Sequence, residues 1–219
     1  GTNTFHLLIV TRGEGEPFNE LYRERRFIKL AEEGIEKIGK ASFDRGLEAM
    51  IDFKEVIENF EVKDLRAIGT AGLRIASNGQ NFIKQVYEKT GISVELISGE
   101  EEAHFIHKGV NLATPFGKEY RMIMDIGGGS VEFIIANSKK VFWAKSFPIG
   151  IAILYRLFHQ DDPISNTAIQ EAEQYLKKIL HPLLLELSKY ANLSLIGASG
   201  AFEVVENILV KEKKGTIKK

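Results

Sequence analysis

Residues 122–133 read MIMDIGGGSVEF. An apolar run ends in an aspartate, three consecutive glycines and a serine follow, and the chain then turns apolar again. Adjacent glycines are costly to order, because each loses more backbone entropy on folding than any other residue. A chain that places them directly after a buried strand must gain something from a backbone without Cβ. The gain that suits this stretch is close approach of an anion, since successive N–H groups of such a loop can converge on a phosphate. The Ser130 hydroxyl adds a donor. The other reading is a glycine-rich turn capped by Asp125, and the residues of this stretch alone leave both open. It is not a P-loop, because no Gly-Lys-Ser/Thr follows. Nor is it the dinucleotide fingerprint, which opens a helix.

A strand on each side of the loop asks for a mixed α/β fold, and the rest of the chain supplies one. Residues 4–11, 65–70, 93–97, 120–126 and 193–197 read as strands, and 16–30 as one or two edge strands. The segments 130–136 and 140–147 form a hairpin with NSKK at its turn. Helical spacing over 43–60, with Ser42 as N-cap, predicts a helix. Further helices are expected at 78–90, from 99 to 110, at 149–158, over 165–190 with a bend near Pro182, and at 200–210. The tail KEKKGTIKK is charged and expected to be mobile.

The break TPFGKE at 114–119 is the expected domain boundary. It gives one α/β domain over 1–116 and a second over 117–219, with a ligand cleft between them. Each half opens with a strand and a small-residue turn, GTNTFHLLIV in the first and DIGGGSVEFIIA in the second, which reads as a weak internal repeat. The abrupt opening at Gly1 is expected to lie inside a strand-turn-strand unit.

Composition bounds the partners. The 29 basic and 30 acidic residues leave a net charge of -1, so the chain lacks the basic footprint of a nucleic-acid binder. A polyanionic ligand must meet a local cluster instead. The absence of cysteine excludes disulfides, zinc thiolates and cysteine nucleophiles and is compatible with a reducing cytoplasm. No apolar run reaches the roughly 20 residues a membrane helix needs, so no membrane partner is expected.

Chemistry-bearing side chains cluster beside the strand ends. Asp125 closes a strand and, being anionic, would hold a divalent ion or orient a water rather than touch phosphate. ISGEEEAHFIHKGV places Glu100, Glu101 and Glu102 at a helix start. One of them reads as a general base, while two simply complement the helix dipole. Glu101 and His104 resemble half of a di-iron helix motif, but no second copy exists, and His104 and His107 read as cover for the helix face. Arg74 in GTAGLR suits a bidentate phosphate contact or a surface ion pair. IGASGAFE at 196–203 is a second turn of small residues before a helix. RERR at 23–26 reads as an exposed strand face.

GTNTFHLLIV, GTAGLR, NGQNFIKQVYEKTGISVELISGEEEAHFIHKGV, MIMDIGGGSVEF, SFPIG and LIGASGAFE together resemble, in this order, the exopolyphosphatase and guanosine pentaphosphate phosphatase (Ppx/GppA) family. That family belongs to the actin, hsp70 and sugar-kinase superfamily. The resemblance covers nearly the whole chain and implies two ribonuclease-H-like (actin-like ATPase) domains with a cleft between them, the second incomplete at its C-terminus. It makes Glu102 the catalytic base, with Asp125 and Glu132 the acidic partners of Mg²⁺ or another divalent cation and of the attacking water. Gly127, Gly128, Gly129 and Ser130 become the phosphate loop, Asn3 and Thr4 the first phosphate turn, and Arg74 the phosphate-binding arginine. The implied substrates are inorganic polyphosphate or guanosine pentaphosphate, cleaved at a phosphoanhydride in the cytoplasm, with a second copy of the chain as a candidate partner. A non-catalytic polyphosphate or alarmone sensor on the same fold is the alternative, and a sugar or acetate kinase a more distant one. This chain departs from the family in three ways: no aspartate precedes Gly1, Ser199, Gly200 and Ala201 stand where Gly-Gly-Thr is usual, and family members extend beyond the point where this chain stops. It is therefore expected to be a trimmed version of a longer protein, and no contact is assigned at 199–201.

Overall fold

A computed structural model describes residues 1–13 and 18–213 of the chain, so the tail 214–219 lies outside the described residues. The chain forms two compact units, Gly1–Ile97 and Ser98–Lys219.

In the first unit β1 (Thr4–Thr11) and β2 (Asn19–Phe27) pair antiparallel, with a bulge between Ile9 and Val10. Period-2 alternation sends Phe5, Leu7 and Ile9 inward. They join Phe43, Leu47, Phe53 and Ile57 of α1 (Lys40–Asn59) and Phe82 and Val86 of α3 (Gly79–Thr90) in one apolar core. Phe82, 1% exposed, takes Phe43 and Phe5 edge-on with ring centroids at 5.0 and 6.1 Å. β3 (Ala67–Gly69) pairs parallel with β4 (Val94–Leu96), and between β3 and α3 the short helix α2 (Ala71–Ile75) turns the chain.

Ser42 is not the cap of α1. The helix starts earlier, with Gly39 as N-cap, and Ser42 lies buried inside it, its hydroxyl donating to the Lys29 carbonyl at 2.9 Å. A helical serine can spend its hydroxyl on another segment's carbonyl as readily as on its own N-terminus.

The second unit is built on a four-stranded sheet in the order β7-β6-β5-β8. β5 (Arg121–Ile126), β6 (Val131–Ala136) and β7 (Val141–Phe147) run antiparallel in series, and β8 (Ser194–Ala198) lies parallel to β5. Asn137 shapes the β6–β7 turn, its side-chain oxygen accepting from Lys139 N at 2.9 Å and Lys140 N at 3.2 Å. On one face Ala103, Ile106 and Val110 of α4 (Gly99–Ala113) pack with Ile123, Ile134 and Ile196. On the other, Val131, Phe133 and Phe147 meet Leu154, Tyr175, Leu176 and Leu183 of α5 (Ile151–Phe158), α6 (Asn166–Ile179) and α7 (His181–Leu187). β6 is therefore buried on both faces. α8 (Gly200–Lys213) closes the described chain.

Two expectations shift. The units divide at 97/98 rather than 116/117, because the apolar side of α4 is buried against β5 and β6, so the TPFGKE break becomes the α4–β5 connection within the second unit. The expected bent helix over 165–190 is two helices meeting at Leu180. Pro182 has no N–H to give an interior helical bond, and it sits in the first turn of α7, where none is needed.

Candidate active site

The first turn of α4 sorts the three glutamates. Ser98 accepts from Glu101 N at 3.1 Å while Glu101 Oε2 accepts from Ser98 N at 2.8 Å, a reciprocal capping box. Glu101 is thereby committed to the helix end, and Glu100 is exposed. Glu102 is half-buried with its Oε2 inside. It adjoins Ala103 and precedes Ile106 by one turn, which places it on the helix face that meets the sheet.

That face of the sheet carries a polar row. Asp125 on β5 is directly opposite Glu132 on β6, and Glu132 is opposite Ser146 on β7. On its other side Asp125 is paired with Ala198 of β8. Residues directly opposite in a sheet project to the same side, and this side is the one that α4 covers. The contact at Gly99 fixes the overlap: a Cβ there would lie 2.8 Å from Ser146 Cβ. Glu102 stands one helical turn beyond Gly99. The fold thus brings Glu102, Asp125 and Glu132 to one side of one sheet, under the N-terminal turn of α4.

The two strand carboxylates differ in environment. Glu132 is 2% exposed, and its Oε1 accepts the Ser146 hydroxyl at 2.6 Å. Burial raises the Asp125 carboxyl above its ordinary value, and the neighbouring Ser199 hydroxyl partly offsets this. The raised value has a consequence for stability. The unfolded chain ionises Asp125 more readily than the folded one, so above the ordinary carboxylate range ionisation penalises folding. Asp125→Asn is expected to raise Tm near neutral pH in the absence of divalent cation. The gain should vanish as pH falls below that range. Thermal melts across pH test this, and a pH-independent difference would contradict it.

None of the glycines at 127–129 has a positive φ. At Gly127 close packing is the constraint instead. Gly127 N donates to Ser130 O at 2.9 Å, and a Cβ on Gly127 would sit 3.0 Å from that oxygen. The loop's carbonyls are taken up by the first turn of α5: Ile151 N donates to Gly127 O at 3.0 Å and Ala152 N to Gly128 O at 2.8 Å. The helix satisfies the loop's acceptors and the loop satisfies the helix's N-terminal donors. Among the described residues no main-chain hydrogen bond engages the N–H groups of Gly128 or Gly129. That is the polarity an anion-binding loop needs.

Asn3, Thr4 and Arg74 belong to the first unit, whereas the carboxylates and the glycine loop belong to the second. Asn3 O receives Ile28 N at 2.9 Å and Lys29 N at 3.0 Å, and Thr4 opens β1. Arg74 lies in α2 and donates through Nη1 to Ile97 O at 2.6 Å. The N-terminal turn and α2 are in contact, since a Cβ on Gly72 would fall 2.9 Å from Thr2 Cα. The first unit therefore gathers its own candidates into one corner.

His107 is buried, edge-on to Phe116, with Nε2 3.3 Å from Asn137 O, and His104 is exposed. Among the described residues no three His, Cys, Asp or Glu side chains converge to hold a metal ion.

Sequence reading misses three residues that build this site: Ser146, Gly150 and Ser199. Gly150 presses on the glycine loop so closely that a Cβ would lie 2.5 Å from the Gly128 and Gly129 backbone. Ser199, at φ 74°, donates to Ile126 O at 2.9 Å. The signal for the first two lies in SFPIG, a strand end running through proline and glycine into an apolar helix. Ser199 has none beyond its place after a strand.

A strand hairpin with a glycine turn, a covering helix whose first turn bears an acid, and a parallel strand added at the edge form an α/β unit of the actin-like ATPase fold. At the level of fold the likeness reaches a chain of the PilM–PilN type IV pilus biogenesis complex. That match has 9% identity over 96% of this chain and 83% of that one, with a TM-score of 0.51. The profile of the Ppx/GppA phosphatase family matches residues 8–219, and the chain belongs to that family. An exopolyphosphatase from Cytophaga hutchinsonii is 34% identical over the whole of this chain and 70% of its own, with a TM-score of 0.92. The PPX-GPPA enzyme of Aquifex aeolicus is 24% identical over 91% of this chain, with a TM-score of 0.70, and this chain spans 65% of its length. Among the described residues no helix is long and apolar enough to cross a membrane.

Proposed function

We propose that the chain carries the catalytic face of a phosphoanhydride hydrolase that releases terminal phosphate from inorganic polyphosphate or guanosine pentaphosphate. The observation that carries this reading is the placement of Glu102, Asp125 and Glu132 on one side of the sheet, beside a glycine loop in which the Gly128 and Gly129 N–H groups enter no main-chain hydrogen bond. Glu102 takes a proton from water as it attacks phosphorus in line. The Gly128 and Gly129 amides and the Ser130 hydroxyl receive phosphoryl oxygens, and charge stabilisation of this kind is the main contribution a protein makes to phosphoryl transfer.

Mg²⁺ suits these residues. It commonly binds through one or two carboxylates and keeps its remaining positions for water and substrate phosphate. Asp125, half-buried, and the second oxygen of Glu132 would hold it. When bound, the ion would neutralise charge on the transferring phosphoryl group. The cysteine-free chain suits the cytoplasm, where both substrates would be met.

The test is phosphate release from polyphosphate and from guanosine pentaphosphate, side by side, with Mg²⁺. Release from either supports the hydrolase. Tight polyphosphate binding without release would favour the sensor.

Arg74 is assigned to substrate phosphate on the family pattern and on its orientation by the Ile97 carbonyl. Arg74→Ala is expected to weaken polyphosphate binding by about 1.5–3 kcal/mol, the worth of a charge-assisted bond, and to flatten its salt dependence. Affinity titrations at low and high salt measure both, and unchanged binding would place Arg74 outside the site.

A further inference from the structure

The row that holds the carboxylates runs from Ala198 through Asp125 and Glu132 to Ser146, and Ser199 lies just past its β8 end. Ser146 stands beyond Glu132 on β7, and Ser199 follows Ala198, the β8 partner of Asp125. Ser146 Oγ donates to Glu132 Oε1 at 2.6 Å, a part-buried bond to a carboxylate that is only 2% exposed. Ser199 holds a left-handed φ of 74°, a conformation that penalises residues with a Cβ. Its hydroxyl spans to the Ile126 carbonyl at 2.9 Å, at the root of the glycine loop and next to Asp125. A strained backbone persists only where the surroundings impose it, and here it delivers a hydroxyl to the root of the glycine loop.

There is a physical need for fixing this row. Like charges directly opposite each other on neighbouring strands repel, and carboxylates left to relieve that repulsion would swing apart. We infer that Ser146 and Ser199 are positioning residues: Ser146 fixes the Glu132 carboxylate, and Ser199 fixes the root of the glycine loop beside Asp125 through the Ile126 carbonyl. Neither serine need touch substrate. Ser146 engages one oxygen of Glu132, and Ser199 engages the main chain next to Asp125. Gly99 belongs to the same device, since any side chain there would press on Ser146. This assignment rests on the hydrolase reading for its effect on turnover, but not for its effect on the Glu132 carboxylate.

The experiment compares Ser146→Ala, Ser199→Gly and Ser199→Ala with the parent chain, by phosphate release from polyphosphate, by Tm and by crystallography. Ser146→Ala should lower kcat about 10–100-fold, the usual effect of losing a partner that orients an active-site group, with KM little changed. Ser199→Gly should keep or raise Tm, because glycine accepts the left-handed backbone, and yet lower kcat. Ser199→Ala should lower both, since it keeps the strain and loses the hydroxyl. A merely structural serine would not separate Tm from kcat in this way. In crystals of Ser146→Ala the Glu132 carboxylate should leave its parental position. Parental kcat in both Ser146→Ala and Ser199→Gly, or an unmoved Glu132, would overturn the inference. If the parent itself releases no phosphate while Glu132 moves in Ser146→Ala, the hydrolase reading fails and the positioning role stands.

Discussion

Glu102→Gln is expected to lower phosphate release by about 10²–10⁴-fold, the usual contribution of a positioned general base, while substrate affinity is kept or improved. Water is a poor nucleophile at neutral pH, so a carboxylate must accept its proton as the new P–O bond forms. Glutamine preserves size and hydrogen bonding but cannot accept that proton. It also removes one negative charge that faces a polyanion, which is why binding should not suffer. The neighbouring acids supply controls. Glu101→Gln leaves a residue that still serves a capping box with Ser98, so turnover should stay close to that of the parent. Glu100 is exposed, and Glu100→Gln should remove only a dipole contribution of about 0.3–1 kcal/mol to helix stability. Steady-state phosphate release and affinity for the three variants decide the matter. Equal small effects at all three positions would reject Glu102 as the base.

Asp125 and the run Glu100–Glu102 stand out in the sequence because they sit in local, directional features, whereas the choice of Glu102 and the inclusion of Glu132 come only with the family resemblance. Glu102 lies at a helix start, and Asp125 and Glu132 lie on either side of a glycine turn. A hairpin of known register puts two such residues opposite one another. Secondary structure is legible for the same reason, since alternation along β1 and helical spacing along α3 are periodic signals. What stays hidden is long-range. That α4 covers the β5–β6 sheet follows from burial of Ala103 against Ile123 and Ile134, not from any local pattern, so the division of the chain at 97/98 has no mark in the sequence. Ser42 looks like a cap because its hydroxyl partner, the Lys29 carbonyl, is distant in sequence. The glycines stand out on their own, yet the reason for them includes α5, well downstream, whose first N–H groups bind their carbonyls.

Gly150→Ala should displace the glycine loop and weaken binding of polyphosphate or inorganic phosphate by tenfold or more, an effect on the order of 1.4 kcal/mol or above. Gly150 has φ -63° and ψ 165°, an extended conformation open to any residue, so backbone strain is not the reason for glycine here. The reason is contact. The added Cβ would fall 2.5 Å from Gly128 C and O and from Gly129 C. Those atoms are backbone, tied down through the bonds from Ile151 and Ala152, and cannot swing aside as a side chain can. Either the loop moves or α5 does, and in both cases the Gly128 and Gly129 N–H groups lose their common aim. Overpacking of this kind also destabilises by about 1–3 kcal/mol, so Tm should fall as well. Gly109→Ala is the matched control. Nothing lies within 4 Å of a Cβ there, and the site is inside α4. Alanine should stabilise that helix by up to about 1 kcal/mol and leave phosphate binding alone. Tm and phosphate affinity for the two variants give the answer. A Gly150→Ala chain that binds as the parent does, with its loop unmoved in a crystal structure, would show that the loop is an ordinary turn and not the anion cradle.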